Sequence, residues 1–142
     1  MIRVATKFDQ DAIASLLIEF YAKTKHPLAS DINKWSRNHM ESVLAPLFAG
    51  AGFVLIGDDG EGLLVAVKQP IMWFPDTFIL SEVMWHGKSK RGATSLIEKY
   101  MEVADGMKER GEIGGYYFNA YGESDFGRYN VTRIATVWGS HG

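Results

Sequence analysis

The chain has 142 residues, a formal net charge of −2 and no cysteine. Its length suits a single domain over residues 1–142, and 46% hydrophobic with 23% charged residues excludes disordered and collagen-like classes. The missing cysteine excludes a disulfide framework, a thiolate metal site and a cysteine nucleophile. The weak net charge argues against bulk nucleic-acid binding. No signal-peptide core or membrane-length apolar run occurs, which predicts a cytoplasmic protein without a membrane partner.

The first third of the chain predicts one strand and two helices. Residues 2–6 alternate between apolar and polar, as a short strand does, and Thr6 and Asp9 have capping-box spacing. A helix should follow and end before Pro27, and a second helix is predicted over about 31–48. The apolar stripe of the first helix comprises Ile13, Leu16, Leu17, Phe20 and Tyr21.

The rest of the chain predicts strands that first run together and then alternate with helices. In chain order the predicted elements are a strand over 53–56, a turn over 58–62, a strand over 63–67, an irregular loop over 69–76, a strand over 78–85, a basic loop over 87–92, a helix ending near 110 before Gly111, a strand over 116–121, a short helix over 124–133 and a strand over 134–138. The order β-α-α-β-β-β-α-β-α-β predicts an α+β fold with a mixed sheet flanked by helices, and not a doubly wound parallel sheet.

The basic loop between a strand and a helix is the most informative segment. A helix N-terminus presents unpaired backbone N–H groups and the positive end of the helix dipole, and Lys88, Lys90 and Arg91 add formal charge. The segment is therefore either a phosphate cradle or a solvated basic turn. It is not a nucleoside-triphosphate P-loop, because Glu82 stands where that motif requires glycine.

The strand with Glu82 and Trp85, the basic turn and Leu96 resemble the acetyl-CoA-binding motif of the Gcn5-related N-acetyltransferases (GNAT), especially small phage-encoded members. The similarity extends to the opening strand and helix and to the segment from Tyr116 to Tyr129. Aligning the loop on Leu96 places Ala93 at the family's final small position, but it puts Arg91 where glycine is usual and Lys88 at the Arg or Gln position. Aligning it instead on Arg91-Gly92 requires a shorter loop, and both registers remain open.

This resemblance implies direct acetyl transfer from acetyl-CoA to a primary amine of a small molecule or a protein. Acetyl-CoA would lie between the strands that hold Met84 and Phe118, with its pyrophosphate at the basic turn. The residues implied in cofactor binding are Met84, His86, Lys88, Ser89, Lys90, Arg91, Gly92, Ala93, Thr94 and Ser95.

The same resemblance implies that Glu82 is the general base and that Tyr129 is the acid that protonates the CoA thiolate. Glu82 could instead be a surface carboxylate or pair with Lys68, and Tyr129 could be a packing residue. His86 is a second acid–base candidate, and no histidine pair has the helical spacing of a zinc site, so no metal is predicted.

Two other function classes fit the same residues. The first is a non-catalytic GNAT-fold binding or structural protein, encoded by a phage, which the departures from the family's loop pattern favour. The second is a small nucleotide-binding domain that uses the basic turn. A homodimer is compatible with each of these functions.

Overall fold

A computed structural model describes residues 1–23, 32–119, 126–129 and 131. Its strands are β1 (Ile2–Val4), β2 (Gly52–Gly57), β3 (Gly62–Pro70), β4 (Phe78–Gly87) and β5 (Gly115–Tyr117), and its α-helices are α1 (Gln10–Lys23), α2 (Arg37–Pro46) and α3 (Lys90–Glu109). No helix within those ranges is long and apolar enough to cross a membrane.

The five strands form one sheet in the order β1-β2-β3-β4-β5. The first four pair antiparallel, whereas β4 and β5 pair parallel across the connection that contains α3. A parallel pair needs such a crossover, and a helix supplies it. The mixed α+β sheet predicted from the sequence is therefore confirmed.

Each face of the sheet has its own apolar core. On one face, α1 and α2 pack through residues such as Ile13, Phe20 and Leu44. On the other face, α3 packs through residues such as Ile97 and Tyr100. The apolar stripe predicted for the first helix is buried except at Tyr21, which is half-buried against the same core. The two-sided burial explains why β2 and β3 are apolar along most of their length rather than alternating.

The N-terminal capping box is confirmed, and it belongs to a larger ion-pair cluster. The Thr6 hydroxyl accepts from the Phe8 N–H, and the Asp9 carboxylate accepts from the Thr6 N–H. Arg3 donates to both Asp9 oxygens at 2.9 and 2.7 Å and also pairs with Asp58. These hydrogen bonds lower the pKa of Asp9 to about 2. The cluster joins β1, the start of α1 and the β2–β3 turn.

Several predicted boundaries are wrong for local reasons. The second helix begins at Arg37, not Asp31, because the Ser36 hydroxyl caps it by accepting from the His39 N–H at 3.2 Å. Strand β3 extends two residues into the predicted loop, to Pro70, which pairs with Phe78. Strand β5 ends at Tyr117 rather than at 121.

Some predicted features lie outside the described residues. These are the helix break at Pro27, the last predicted strand over 134–138 and most of the predicted helix over 124–133. Of that last helix, Gly127–Tyr129 is described and forms a single 3-10 turn.

Both ends of α3 are set by local sequence. Ser89 caps the N-terminus by accepting from the Gly92 N–H at 3.0 Å, so the predicted loop over 87–92 is shorter and Arg91 is already helical. At the C-terminus, Gly111 has a φ of +76°, and its N–H donates to Lys108 while Glu112 donates to Met107. This Schellman pattern confirms Gly111 as the residue that ends the helix.

Glycines allow the N-terminus of α3 to approach the sheet closely. A Cβ on Gly87 would lie 2.4 Å from the backbone nitrogen of Ala93, and a Cβ on Gly62 would lie 2.6 Å from a methyl of Leu96. A Cβ on Gly92 would lie 3.0 Å from the carbonyl oxygen of Glu61. The start of α3 is therefore held directly against the end of β4.

We expect Gly87→Ala to destabilise the protein by about 1–3 kcal/mol, because the new Cβ meets backbone atoms that cannot move cheaply. Gly115→Ala is the matched control, since a Cβ there meets nothing within 4 Å, and it should leave stability unchanged within about 0.5 kcal/mol. Urea unfolding of the three proteins measures both effects. Equal stability of the two variants would contradict the close approach.

Candidate functional site

The parallel strands β4 and β5 part shortly after they meet. Their register pairs Ile79 with Gly115, Leu80 with Tyr116 and Ser81 with Tyr117, and it ends there. Strand β4 continues along β3, but its register shifts so that Ala66 pairs with Glu82 and Val65 with Met84. Val83 is thus an extra, bulged residue, and its side chain is 55% exposed. The bulge falls just beyond the last β4–β5 pair, and we call this end of the β4–β5 ladder the gap.

Three side chains bind the backbone of the β5 segment where the strand ladder ends. The Glu82 carboxylate accepts from the Asn119 N–H at 3.1 Å, and the Trp85 indole N–H donates to the Asn119 carbonyl at 2.6 Å. The Tyr100 hydroxyl donates to the Tyr117 carbonyl at 2.7 Å. Side chains therefore satisfy the backbone groups that a continued ladder would have paired, as buried polar groups require.

Glu82 is a buried carboxylate, only 4% exposed. Burial raises its pKa, and the hydrogen bond from Asn119 offsets part of that rise. It is not the surface carboxylate that the sequence left open. Lys68, its other suggested partner, lies over the Phe78 ring at 4.9 Å. A carboxyl group whose pKa is raised by burial is a feature of many acid–base sites.

The bulge places neighbouring functional candidates on opposite faces of the sheet. Glu82 opposes Ala66 of the α3-side core and interacts electrostatically with Tyr100. Met84 belongs to the core under α1 and α2, although residues two apart in a regular strand share a face. His86 also lies on the α1 side, with its ring 5.4 Å from that of Phe20. The extra residue thus puts Glu82 on the opposite face of the sheet from Met84 and His86.

The basic turn contains two kinds of cation. The Lys88 ammonium group lies 3.5 Å from the Glu19 carboxylate on α1. The backbone N–H of Lys88 donates to the backbone carbonyl of Glu61. Lys90 and Arg91 are exposed, and neither forms a salt bridge with any residue of the described ranges. The charges available to an anion at this end of α3 are therefore those of Lys90 and Arg91.

Several polar groups of the first helical turn are already engaged. The Gly92 N–H donates to the Ser89 hydroxyl, and the Ala93 N–H donates to the Ser89 carbonyl. The Thr94 hydroxyl donates to the Lys90 carbonyl at 3.0 Å, and Ser95 is half-buried. The N–H groups of Lys90 and Arg91 come before Ala93, the first intrahelical donor, and so remain open to a ligand.

Tyr129 lies against α3, on the same side of the sheet as Glu82. Its hydroxyl donates to the Glu98 carboxylate at 2.8 Å and accepts from the Arg128 guanidinium at 2.7 Å. Its ring lies 6.3 Å from that of Phe126, which packs edge-on against Phe118. Tyr129 thus combines packing with a hydrogen-bonded hydroxyl.

Asn119 and Tyr100 are site residues that the sequence did not reveal. In the sequence, Tyr100 falls on the apolar stripe of α3, which predicts a core residue. Asn119 lies in a predicted strand and belongs to no motif. Neither has a sequence signal, because each acts through a backbone group or a side chain distant along the chain. Among the residues that the structure describes, no three histidines, aspartates or glutamates form a metal-binding group.

Solved acetyltransferases share this fold. The chain superposes on an aminoglycoside acetyltransferase, meta-AAC0020, from an uncultured soil metagenomic sample, with a TM-score of 0.65 and 10% identity over 99% of this chain and 95% of that one. The ribosomal-protein-alanine N-acetyltransferase of Brucella melitensis biovar Abortus 2308 superposes with a TM-score of 0.59 and 20% identity, over 99% of this chain and 95% of that one. A GNAT family acetyltransferase of Staphylococcus aureus superposes with a TM-score of 0.60 and 12% identity, over 99% of this chain and 96% of that one.

No protein-family model and no curated protein matches the sequence. The shared architecture, including the mixed sheet, is therefore established by structure at low sequence identity. The chain has the GNAT fold.

We expect Glu82→Gln to be more stable than the parent protein at pH 7. The folded-state pKa of Glu82 lies above its ordinary value of 4.5, so the ionised carboxylate destabilises the fold as the pH rises from that value through the folded pKa. Glutamine keeps an oxygen that can accept from Asn119 without the buried charge.

Urea unfolding at several pH values measures this difference, which should shrink as the pH falls through the raised folded-state pKa of Glu82 towards its ordinary value of 4.5. Glu102→Gln on the exposed side of α3 is the control and should show little pH-dependent change. If the extra stability of Glu82→Gln grew as the pH fell, the raised pKa of Glu82 would be contradicted.

Proposed function

We propose that this protein is an acetyl-CoA-dependent N-acetyltransferase that transfers the acetyl group directly to a primary amine. The observation that carries the proposal is the parting of β4 from β5 at the Val83 bulge, in a chain with the fold of solved acetyltransferases. The gap lies beside the buried Glu82 carboxylate, on the strand that leads into the N-terminus of α3. The acceptor is a small molecule or a protein.

The residues around the gap fit acetyl-CoA. Because Gly87 and Gly92 have no Cβ, the start of α3 packs close to the sheet. The backbone N–H groups and the side chains of Lys90 and Arg91 are available to phosphates. Acetyl-CoA supplies an activated thioester carbonyl. Lys88, which pairs with Glu19, would contribute less to binding than Lys90 or Arg91.

In this proposal Glu82 is the general base. An amine must lose a proton before or during attack, and a carboxylate whose pKa is raised towards neutrality accepts that proton more readily than an ordinary one. Because Glu82 lies on the α3 side of the sheet, it would receive the proton through the gap, by way of ordered water. Asn119 holds the carboxylate in position through its N–H.

Tyr129 is the proposed acid. Its hydroxyl lies on the same side of the sheet as Glu82 and is oriented by Glu98 and Arg128. The hydroxyl would turn from Glu98 to the departing thiolate and give it the proton, and the Arg128 guanidinium, which donates to the phenolic oxygen, would stabilise the negative charge left there.

A non-catalytic binding protein with this fold is the second candidate. The bonds of Glu82 and Trp85 to Asn119 cross the place where the strands separate. A protein in which these bonds stay closed would keep the fold without admitting acetyl-CoA. The two candidates differ in whether CoA binds.

We expect CoA to bind, and the Lys90→Ala/Arg91→Ala double variant to weaken binding about tenfold or more, because two charge-assisted contacts are removed. Lys88→Ala is the matched control and should change affinity less than threefold, since this cation is paired with Glu19. Isothermal calorimetry measures all three. An absence of CoA binding to the parent protein would refute the enzyme and favour the binding protein.

Glu82→Gln should lower kcat about a hundredfold, and Tyr129→Phe about tenfold, with CoA affinity unchanged within twofold. The rate of the parent protein should rise with pH through the raised pKa of Glu82, as it does for a base that must be unprotonated, and Glu82→Gln should lose that acid limb. Release of CoA thiol measures turnover. Full activity in both variants would refute these roles.

A further inference from the structure

A large cavity lies between α1, the segment from Ile32 through α2, and the sheet. Its volume is about 480 Å³, which is in the range of small-molecule pockets. Its wall is mostly apolar, and its lining residues are Leu17, Tyr21, Ile32, Lys34, Trp35, Ser36, His39, Met40, Val43, Leu44, Val65 and Met84.

The cavity reaches β4 beside the gap. Met84, the residue that follows the bulge, forms part of its floor together with Val65, its partner across the ladder. This position puts the contents of the cavity next to the point where β4 leaves β5. The cavity is on the opposite side of the sheet from Glu82, so the two could meet only across the gap.

The charge of the lining is one-sided. Among the described residues, the wall includes the charged Lys34 and the imidazole of His39, and it includes no aspartate or glutamate. Leu17, Met40 and Leu44 supply buried apolar surface, and Trp35 and Tyr21 supply aromatic surface. Such a wall favours an uncharged apolar skeleton, since a second ammonium group would be desolvated with no carboxylate to pair with it.

We infer that this cavity binds the acceptor and selects a primary amine carried on an apolar or aromatic skeleton without a second positive charge. The inference rests on the proposed acetyltransferase function and adds its substrate class. A phenyl ring fits easily, because a cavity of about 150 Å³ already holds benzene. Polyamines and other polycationic amines are excluded by the same wall.

Methionine methyl groups report occupancy without any need for catalysis. Met40 and Met84 line the cavity, whereas Met101 lies in the α3-side core and Met72 is exposed in the β3–β4 turn. In methyl-labelled protein, 2-phenylethylamine should shift the Met40 and Met84 signals and leave Met72 and Met101 in place, and spermidine should shift none of them. Unshifted Met40 and Met84 signals with 2-phenylethylamine, or equal shifts with spermidine, would overturn the inference.

A charged substitution at the rim tests the same site. Val43 lines the cavity but is 51% exposed, so Val43→Lys should fold and should raise the Kd for 2-phenylethylamine at least fivefold. Ile18→Lys is the matched control on α1, at a side chain 39% exposed and outside the lining, and it should leave Kd within twofold. Equal effects of the two variants would overturn the assignment.

Turnover separates this inference from the function on which it rests. With acetyl-CoA, kcat/KM for 2-phenylethylamine should exceed that for spermidine at least tenfold. Acetylation of spermidine at an equal or higher kcat/KM would retain the enzyme and refute the substrate class. Cavity binding without CoA binding would refute the enzyme and retain the cavity as an amine site.

Discussion

The architecture depends on the point where β4 and β5 stop pairing. A parallel ladder that ends inside a protein leaves backbone donors and acceptors that must find partners. Here Glu82, Trp85 and Tyr100 supply them, two of them at Asn119 and one at Tyr117. Specific side-chain hydrogen bonds therefore close the end of the ladder.

The extra residue in β4 has a second consequence. By shifting the side-chain alternation, the bulge at Val83 directs Glu82 to the α3 face and Met84 to the cavity face. The proposed base and the proposed acceptor site thus lie on opposite faces of the sheet. Burial of Glu82 costs stability because its charge is desolvated, a cost commonly found at functional sites.

Charge around the gap is distributed unevenly. Lys88 lies towards Glu19 on α1, whereas Lys90 and Arg91 form no salt bridge with any described residue. In the part of the chain that the structure describes, the cavity beyond Met84 has a cationic lysine and no carboxylate in its wall. One end of the site is thus suited to an anion and the other to an uncharged skeleton, which fits a reaction between acetyl-CoA and an apolar amine.

The sequence by itself determined most of the local structure: the capping box at Thr6, the helical stripes, the hairpin of β2 and β3, and the end of α3 at Gly111. Each rests on neighbours within about four residues, where periodicity and capping are read directly. Tertiary structure decided the burial of Glu82, the pairing of Lys88 and the roles of Tyr100 and Asn119. The physical reason is that a bulge reverses side-chain direction, and that a hydrogen bond or ion pair between distant segments leaves no trace in local pattern.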